Sequence, residues 1–154
     1  MKLALGTAQF GLPYGISNQV GVVKPEIVKK IINHSNKLGI DTIDTAKNYG
    51  NSEELLGNIG VNKFKVVTKI SINGVENINI DTWIKRNIED SLNKLNLDII
   101  YGVMIHNAEF YKNEKAREIF SELQKLKYLG KISKIGVSVY DPIELRNIIN
   151  NFNI

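Results

Sequence analysis

Short apolar runs alternate with amphipathic stretches along the whole chain, and the alternation predicts strands and helices in turn. Leu3 to Thr7 reads as a first strand. Lys24 to Leu38 reads as a helix, with Pro25 in its first turn, Ile27, Ile31 and Leu38 near one face, and Gly39 ending it. Ile40 to Thr45 is a second strand. Ser52 then caps a helix in which Glu53 and Glu54 face the positive end of the dipole and Leu55, Leu56 and Ile59 form the apolar side, up to Gly60. Phe64 to Ile70 is a third strand. The polar, Asn-rich segment from Ser71 to Ile80 reads as a long loop. Asp81 caps a helix whose stripe is Ile84, Ile88, Leu92 and Leu95. Leu97 to Ile105 is a fourth strand, nearly continuously apolar. Asn113 caps the next helix, with Ile119, Phe120, Leu123 and Leu126 inward and Gly130 at its end. Lys134 to Val139 is a fifth strand. Asp141-Pro142-Ile143-Glu144 opens a last helix with a capping box.

Strict βα alternation with continuously apolar strands predicts a parallel sheet covered by helices. The pattern alone does not separate a closed barrel from an open doubly wound sheet. The repeat is roughly 33 residues, and eight such units would reach the ~250 residues of a full (β/α)8 barrel. The chain holds five. The sequence after the first strand, Gly6 to Gly11, lacks both the dinucleotide fingerprint and the lysine of a phosphate-binding loop. That removes the best signature of the open alternative.

Composition narrows the class further. The 154 residues are 43% hydrophobic and 23% charged, the balance of one globular domain spanning 1–154. With no cysteine, a disulfide scaffold, a thiolate metal site and a cysteine nucleophile are excluded. No apolar run is long enough for a membrane span, and Met1 to Gly6 does not read as a signal peptide, so a cytoplasmic location and no membrane partner are expected. The net charge of +4 raises nucleic-acid binding as a question. Its carriers are lysines scattered over the whole chain, with only Arg86, Arg117 and Arg146 beside them, and this reads as solvated helix surface. No nucleic-acid partner is expected.

The chemistry concentrates at strand ends. Asp44 closes the second strand and Tyr49 lies five residues on; Lys69 is near the end of the third; His106 follows the fourth. In a parallel barrel these would converge at one mouth, where such barrels place their chemistry. A buried ammonium beside a tyrosine favours the phenolate left after proton transfer, a carboxylate holds the lysine, and a histidine can hydrogen-bond a carbonyl oxygen. The set suits protonation of a developing alkoxide as hydride attacks a carbonyl. Each residue alone has a plainer reading: a turn aspartate, a loop aromatic, an edge charge, a satisfied His106-Asn107 pair. Their joint appearance at three consecutive strand ends favours a site. His34 lies mid-helix without a partner at ligand spacing and is assigned no function; no His/Asp/Glu cluster reads as a metal site.

These residues resemble the aldo-keto reductase family. Leu5 to Gly11 (LGTAQFG) is similar to the family's first strand and loop, and Asp41 to Glu53 (DTIDTAKNYGNSE) to its most characteristic motif. Val67-Thr68-Lys69 resembles the lysine strand, Ile105-His106-Asn107 the histidine strand, and Ile135 to Ser138 the fifth-strand motif. The resemblance runs along essentially the whole chain. It implies an N-terminal five-eighths of a (β/α)8 barrel, with NADP(H) as cofactor, no metal, and reduction of a small aldehyde or ketone to an alcohol. Tyr49 would be the general acid, Asp44 and Lys69 would tune it, and His106 would orient the carbonyl. Gly6, Thr7, Asp44 and Ser138 would contact the cofactor. The family often has Ser-Asn at the fifth strand end, where this chain has Ser138-Val139.

Length is the larger departure, because the strands that would bind the adenosine phosphates are not among the five. The second reading is therefore a truncated, non-catalytic fragment or interaction module, and the isolated 154-residue chain is expected to be inactive. A third is an open α/β sheet binding another phosphorylated ligand. The outer edges of strands one and five invite self-association, with Gly11 to Val23 the candidate cover for the first.

Overall fold

The computed structural model describes residues 2–72, 75 and 78–152. Five strands, β1 (Leu5–Gly6), β2 (Thr42–Asp44), β3 (Lys65–Ile70), β4 (Ile100–Ile105) and β5 (Ile132–Val137), form one sheet in the order β1-β2-β3-β4-β5. Every pairing is parallel, with Gly6 opposite Asp44, Asp44 opposite Val67, Lys69 opposite Met104, and Met104 opposite Gly136. Sequential order without a crossover is the topology of a barrel wall, and the sheet is not closed: β1 and β5 are its edges.

The connecting helices are α1 (Ala8–Gly11), α2 (Pro25–Lys37), α3 (Ser52–Ile59), α4 (Ile80–Leu95), α5 (Ala116–Tyr128) and α6 (Pro142–Asn151), with a 3-10 turn at Ala108–Lys112. The core lies between sheet and helices. Ile84, Ile88, Leu92 and Leu95 of α4 and Ile119, Phe120, Leu123 and Leu126 of α5 are buried against Ile70, Ile100, Val103 and Ile105. Each such side chain contributes about 1.5–3 kcal/mol of transfer free energy. Because strand side chains alternate, Val66, Thr68 and Ile70 face the helices while Lys65, Val67 and Lys69 face the concave side.

Several local expectations are corrected. The buried face of α2 is Val28, Ile32 and Ser35, while Ile27 and Leu38 are exposed. Ile27/Ile31 and Val28/Ile32 are both apolar pairs one turn long, about 100° apart around the helix, and packing selects the second. Helix α4 is capped by Asn79, whose Oδ1 accepts from the Thr82 N–H at 2.9 Å; Asp81 lies inside the helix and pairs with Lys85. Asn113 turns the chain by accepting from the Lys115 N–H, but α5 starts only at Ala116. Of the expected loop after β3, residues 73, 74, 76 and 77 lie outside the described residues, and Ile72 and Val75 are buried. The capping box of α6 forms as expected, with Asp141 accepting from the Ile143 N–H at 2.6 Å and Glu144 reaching back to the Asp141 N–H at 3.3 Å.

The segment between α1 and α2 is tied by the Val23 N–H donating to Gln9 O at 2.9 Å and by Asn18, which accepts from the Val20 and Gly21 N–H groups. Ile16 and Val20 in it are exposed. None of the helices among the described residues is long and apolar enough to cross a membrane.

Candidate active site

Asp44 and Lys69 meet at the carboxyl ends of β2 and β3. The Lys69 ammonium, only 7% exposed, donates to Asp44 Oδ1 and, at 3.0 Å, to the Thr45 carbonyl. Burial of this charge is tolerable because it has both an anionic and a neutral acceptor. Asp44 is held through its backbone: its carbonyl accepts from the Thr7 N–H and the Thr7 hydroxyl, each at 3.0 Å.

Tyr49 lies in the turn that follows. Lys69 Nζ is 5.1 Å from the centroid of its ring, a cation–π approach. The other neighbour of the ring is His106, edge-on with centroids 6.0 Å apart and an interplanar angle of 78°. His106 extends β4, its N–H donating to Ile70 O at 2.9 Å, and its Nδ1 is buried without a hydrogen-bond partner among the described residues. Burial first, then the Lys69 ammonium, push the His106 imidazole below its ordinary value of 6.5, against a smaller opposing pull from Asp44. The imidazole is therefore neutral near pH 7 and offers one N–H. All four residues expected from sequence thus occupy one rim, linked in the order Asp44, Lys69, Tyr49, His106. The lysine's approach to the tyrosine runs across the ring.

The other named residues are arranged around them. Gly6 ends β1 opposite Asp44, and a Cβ built on it would meet nothing within 4 Å. Thr7 is buried, with its hydroxyl also accepting from Ser52 Oγ at 3.1 Å. Ser138 follows β5 and donates its N–H to Ile105 O at 2.9 Å. Among the described residues, no group of three or more histidines and carboxylates could hold a metal ion.

Residues 2–153 match the family model of the aldo/keto reductase family. The chain belongs to that family. It is 31% identical over 140 residues to D-arabinose 1-dehydrogenase of Saccharomyces cerevisiae, covering 84% of this chain and 42% of that protein. Among solved structures it is similar to glycerol dehydrogenase of Gluconobacter oxydans, at 30% identity and a TM-score of 0.69, over 97% of this chain and 48% of the other. It also shares its fold with an aldo-keto reductase of Klebsiella pneumoniae in complex with NADPH, at 20% identity and a TM-score of 0.71, over 97% and 49% of the two chains. The chain spans about half the length, or less, of these relatives.

In this aldo/keto reductase chain the Tyr49 turn is anchored by residues whose sequence context suggests other jobs. Ser52 is not the cap of α3; Asn51 occupies that position, and the Ser52 hydroxyl bridges Thr7 and Thr45. Glu53 is not a solvated dipole partner but a buried carboxylate, accepting from the Thr68 hydroxyl at 2.6 Å and the Ser91 hydroxyl at 3.3 Å. Asn107 Oδ1 accepts from the Ile72 N–H at 3.1 Å and the Ser71 hydroxyl at 3.2 Å, tying the end of β4 to that of β3. Gly11 and Gly50 let two backbones pass: a Cβ on Gly11 would lie 1.8 Å from Tyr49 O, and one on Gly50 2.3 Å from Gly11 O.

Proposed function

We propose that this chain carries the proton-transfer half of an NAD(P)H-dependent carbonyl reductase site, converting an aldehyde or ketone to an alcohol. The observation that carries the reading is the convergence of the Asp44–Lys69 ion pair, the Tyr49 ring under the lysine and a neutral His106 at three neighbouring strand ends. Tyr49 gives its hydroxyl proton to the carbonyl oxygen as negative charge develops there. Lys69 stabilises the phenolate left behind, and Asp44 keeps the ammonium in place. His106 donates its N–H to the same carbonyl oxygen and orients it.

No side chain in this cluster can supply a hydride, so the donor set fits a reduced nicotinamide as co-reactant. A reduced nicotinamide held at this rim would supply the hydride for the carbonyl carbon. Gly6, Thr7, Asp44 and Ser138 are the residues of this chain that would contact it. The open space over Gly6 suits a flat ring, whereas the Thr7 hydroxyl is already committed to Asp44 and Ser52.

The test is turnover of an aldehyde panel with NADPH, in a form of the protein that carries the remaining barrel strands. Tyr49→Phe should lower kcat by ~10²–10⁴-fold while leaving NADPH binding nearly unchanged. Undiminished turnover would remove the proton-donor role.

A second reading, a motif-bearing segment that does not turn over alone, is favoured by the unpaired outer sides of β1 and β5. Barrel phosphate sites usually involve the loops after strands seven and eight. Fluorescence titration of the 154-residue chain with NADPH should accordingly show weak binding or none. Tight binding would mean that the chain builds a cofactor site of its own.

A further inference from the structure

Upstream of Tyr49, the turn between β2 and α3 is tied to β3 through the Thr45 backbone and to helix α4 through Lys47. Its backbone N–H donates to the carbonyl of Lys69 at 3.1 Å. Its side chain leaves the turn in the other direction and reaches helix α4, where the ammonium donates to the Asn87 carbonyl at 3.2 Å and pairs with the Asp90 carboxylate. It is 19% exposed, far less than an ordinary surface lysine, and Asp90 also takes Lys94 from one turn further along α4. One residue thus touches the backbone of the proposed phenolate-stabilising lysine, lies two positions before the proposed proton donor, and grips a helix that neither of them contacts through a hydrogen bond.

We infer that Lys47 is a positioning residue, a strap that fixes the Tyr49 turn against α4 and so sets where the Tyr49 ring lies relative to Lys69 and His106. The downstream half of the turn has its own anchors in Ser52 and Glu53. Without the Lys47 side chain, the upstream half of the turn loses its tie to α4 and shifts about those anchors, carrying Tyr49 with it. Proton donation requires the hydroxyl within about 3 Å of the carbonyl oxygen, so a pivot of the turn translates directly into loss of productive geometry. The assignment also accounts for the low exposure of a lysine that, by composition, is one of many scattered surface cations. The Asp90 carboxyl is held below its ordinary value, chiefly by its hydrogen bond to Lys47.

The assignment rests on Tyr49 as the proton donor, but its principal test does not. Amide hydrogen exchange on the chain itself reads the Tyr49 N–H, bonded to Ala46 O at 3.0 Å, the Ser52 N–H, bonded to Tyr49 O at 3.1 Å, and the core amides of α4 as an internal reference. Lys47→Met should raise exchange at Tyr49 and Ser52 by about tenfold, with the amides of Ile88 and Leu92 unchanged. Lys47→Arg should restore most of the protection through Asp90, and Lys94→Met, which removes the other partner of the same carboxylate, should leave the turn unaffected. In the turnover-competent form, Lys47→Met should lower kcat with little change in KM. Unchanged exchange at Tyr49 in Lys47→Met overturns the strap whatever the protein catalyses. Raised exchange with undiminished kcat overturns its positioning role while leaving the proposed reaction intact. Failure of the proton-donor assignment would show separately, as full turnover in Tyr49→Phe.

Discussion

Replacing Gly11 by alanine puts a methyl group into the contact that sets the Tyr49 turn. The new Cβ would lie 1.8 Å from the Tyr49 carbonyl oxygen and 2.9 Å from the Ser52 nitrogen, where ordinary contacts begin near 3.4 Å. The two segments must therefore separate by about 1.6 Å, and the obstructing atoms are backbone, which cannot rotate aside. Tyr49 O is already accepting from the Ser52 N–H, and Gly11 itself is followed by the Leu12 N–H bond to Ala8 O, so movement on either side breaks a paired group. An overpacking cost of about 1–3 kcal/mol follows, and a chain of this size loses roughly 2–4 °C of melting temperature per kcal/mol. Circular dichroism melts of Gly11→Ala should therefore show a drop of about 4–8 °C for a cost near 2 kcal/mol.

Gly6→Ala is the matched control: it adds the same methyl where nothing lies within 4 Å and should stay within about 0.5 kcal/mol of the parent. A displacement of ~1 Å at the proposed proton donor is worth roughly 10² in rate, so the proposed turnover should fall more steeply than stability. Tyrosine-labelled spectra of Gly11→Ala should show the Tyr49 ring signal moved. An unshifted ring signal together with a melting point within a degree of the parent would refute the claim that Gly11 sets the turn.

Two further outcomes are expected. His106 binds its proton less readily folded than unfolded, so the unfolded chain carries the excess protons, stability is fully present above pH 6.5, and it falls as pH drops through the lower folded value; His106→Gln should flatten the denaturant midpoint against pH below 6.5, and an unchanged slope would contradict the burial argument. Asp141→Ala removes the acceptor for the Ile143 N–H and should cost about 1 kcal/mol, visible as faster exchange confined to the first turn of α6; uniform loss of protection across α4 and α5 would count against a local cap.

How far the sequence carried can be judged residue by residue. The α4 stripe was legible because Ile84, Ile88, Leu92 and Leu95 repeat at helical spacing with no competing apolar face, whereas α2 offers two such faces and only packing chooses. The four rim residues were legible because strand ends in a parallel sheet point to one side, so their positions along the chain already implied proximity. Ser52, Glu53 and Lys47 were not. Each is a residue type that usually caps, solvates or decorates a helix, and its partner lies 15 to 45 residues away, so no local pattern reveals it. A buried carboxylate satisfied by Thr68 and Ser91 hydroxyls is specified only once β3, α3 and α4 are packed together.

The placement of the rim within the sheet bears on what this chain does by itself. Asp44 and Lys69 belong to β2 and β3 and His106 directly follows β4, and each of these strands is paired on both sides within the chain. Their spacing is fixed by ladders that do not depend on closing a barrel, and Tyr49 is fixed by Lys47, Ser52, Glu53 and the Gly11–Gly50 crossing, all of them internal as well. Ser138 is differently placed, just beyond β5, whose outer side has no partner strand among the described residues. Edge strands lack half their ladder and open most easily. The residues proposed for proton transfer should therefore be preorganised in the isolated chain, while Ser138, one of the contacts proposed for the nicotinamide, lies where the sheet frays. On this division the proposed acid machinery and the proposed cofactor seat can fail separately, and a chain that binds NADPH poorly is still expected to hold Tyr49 against Lys69 in its native geometry.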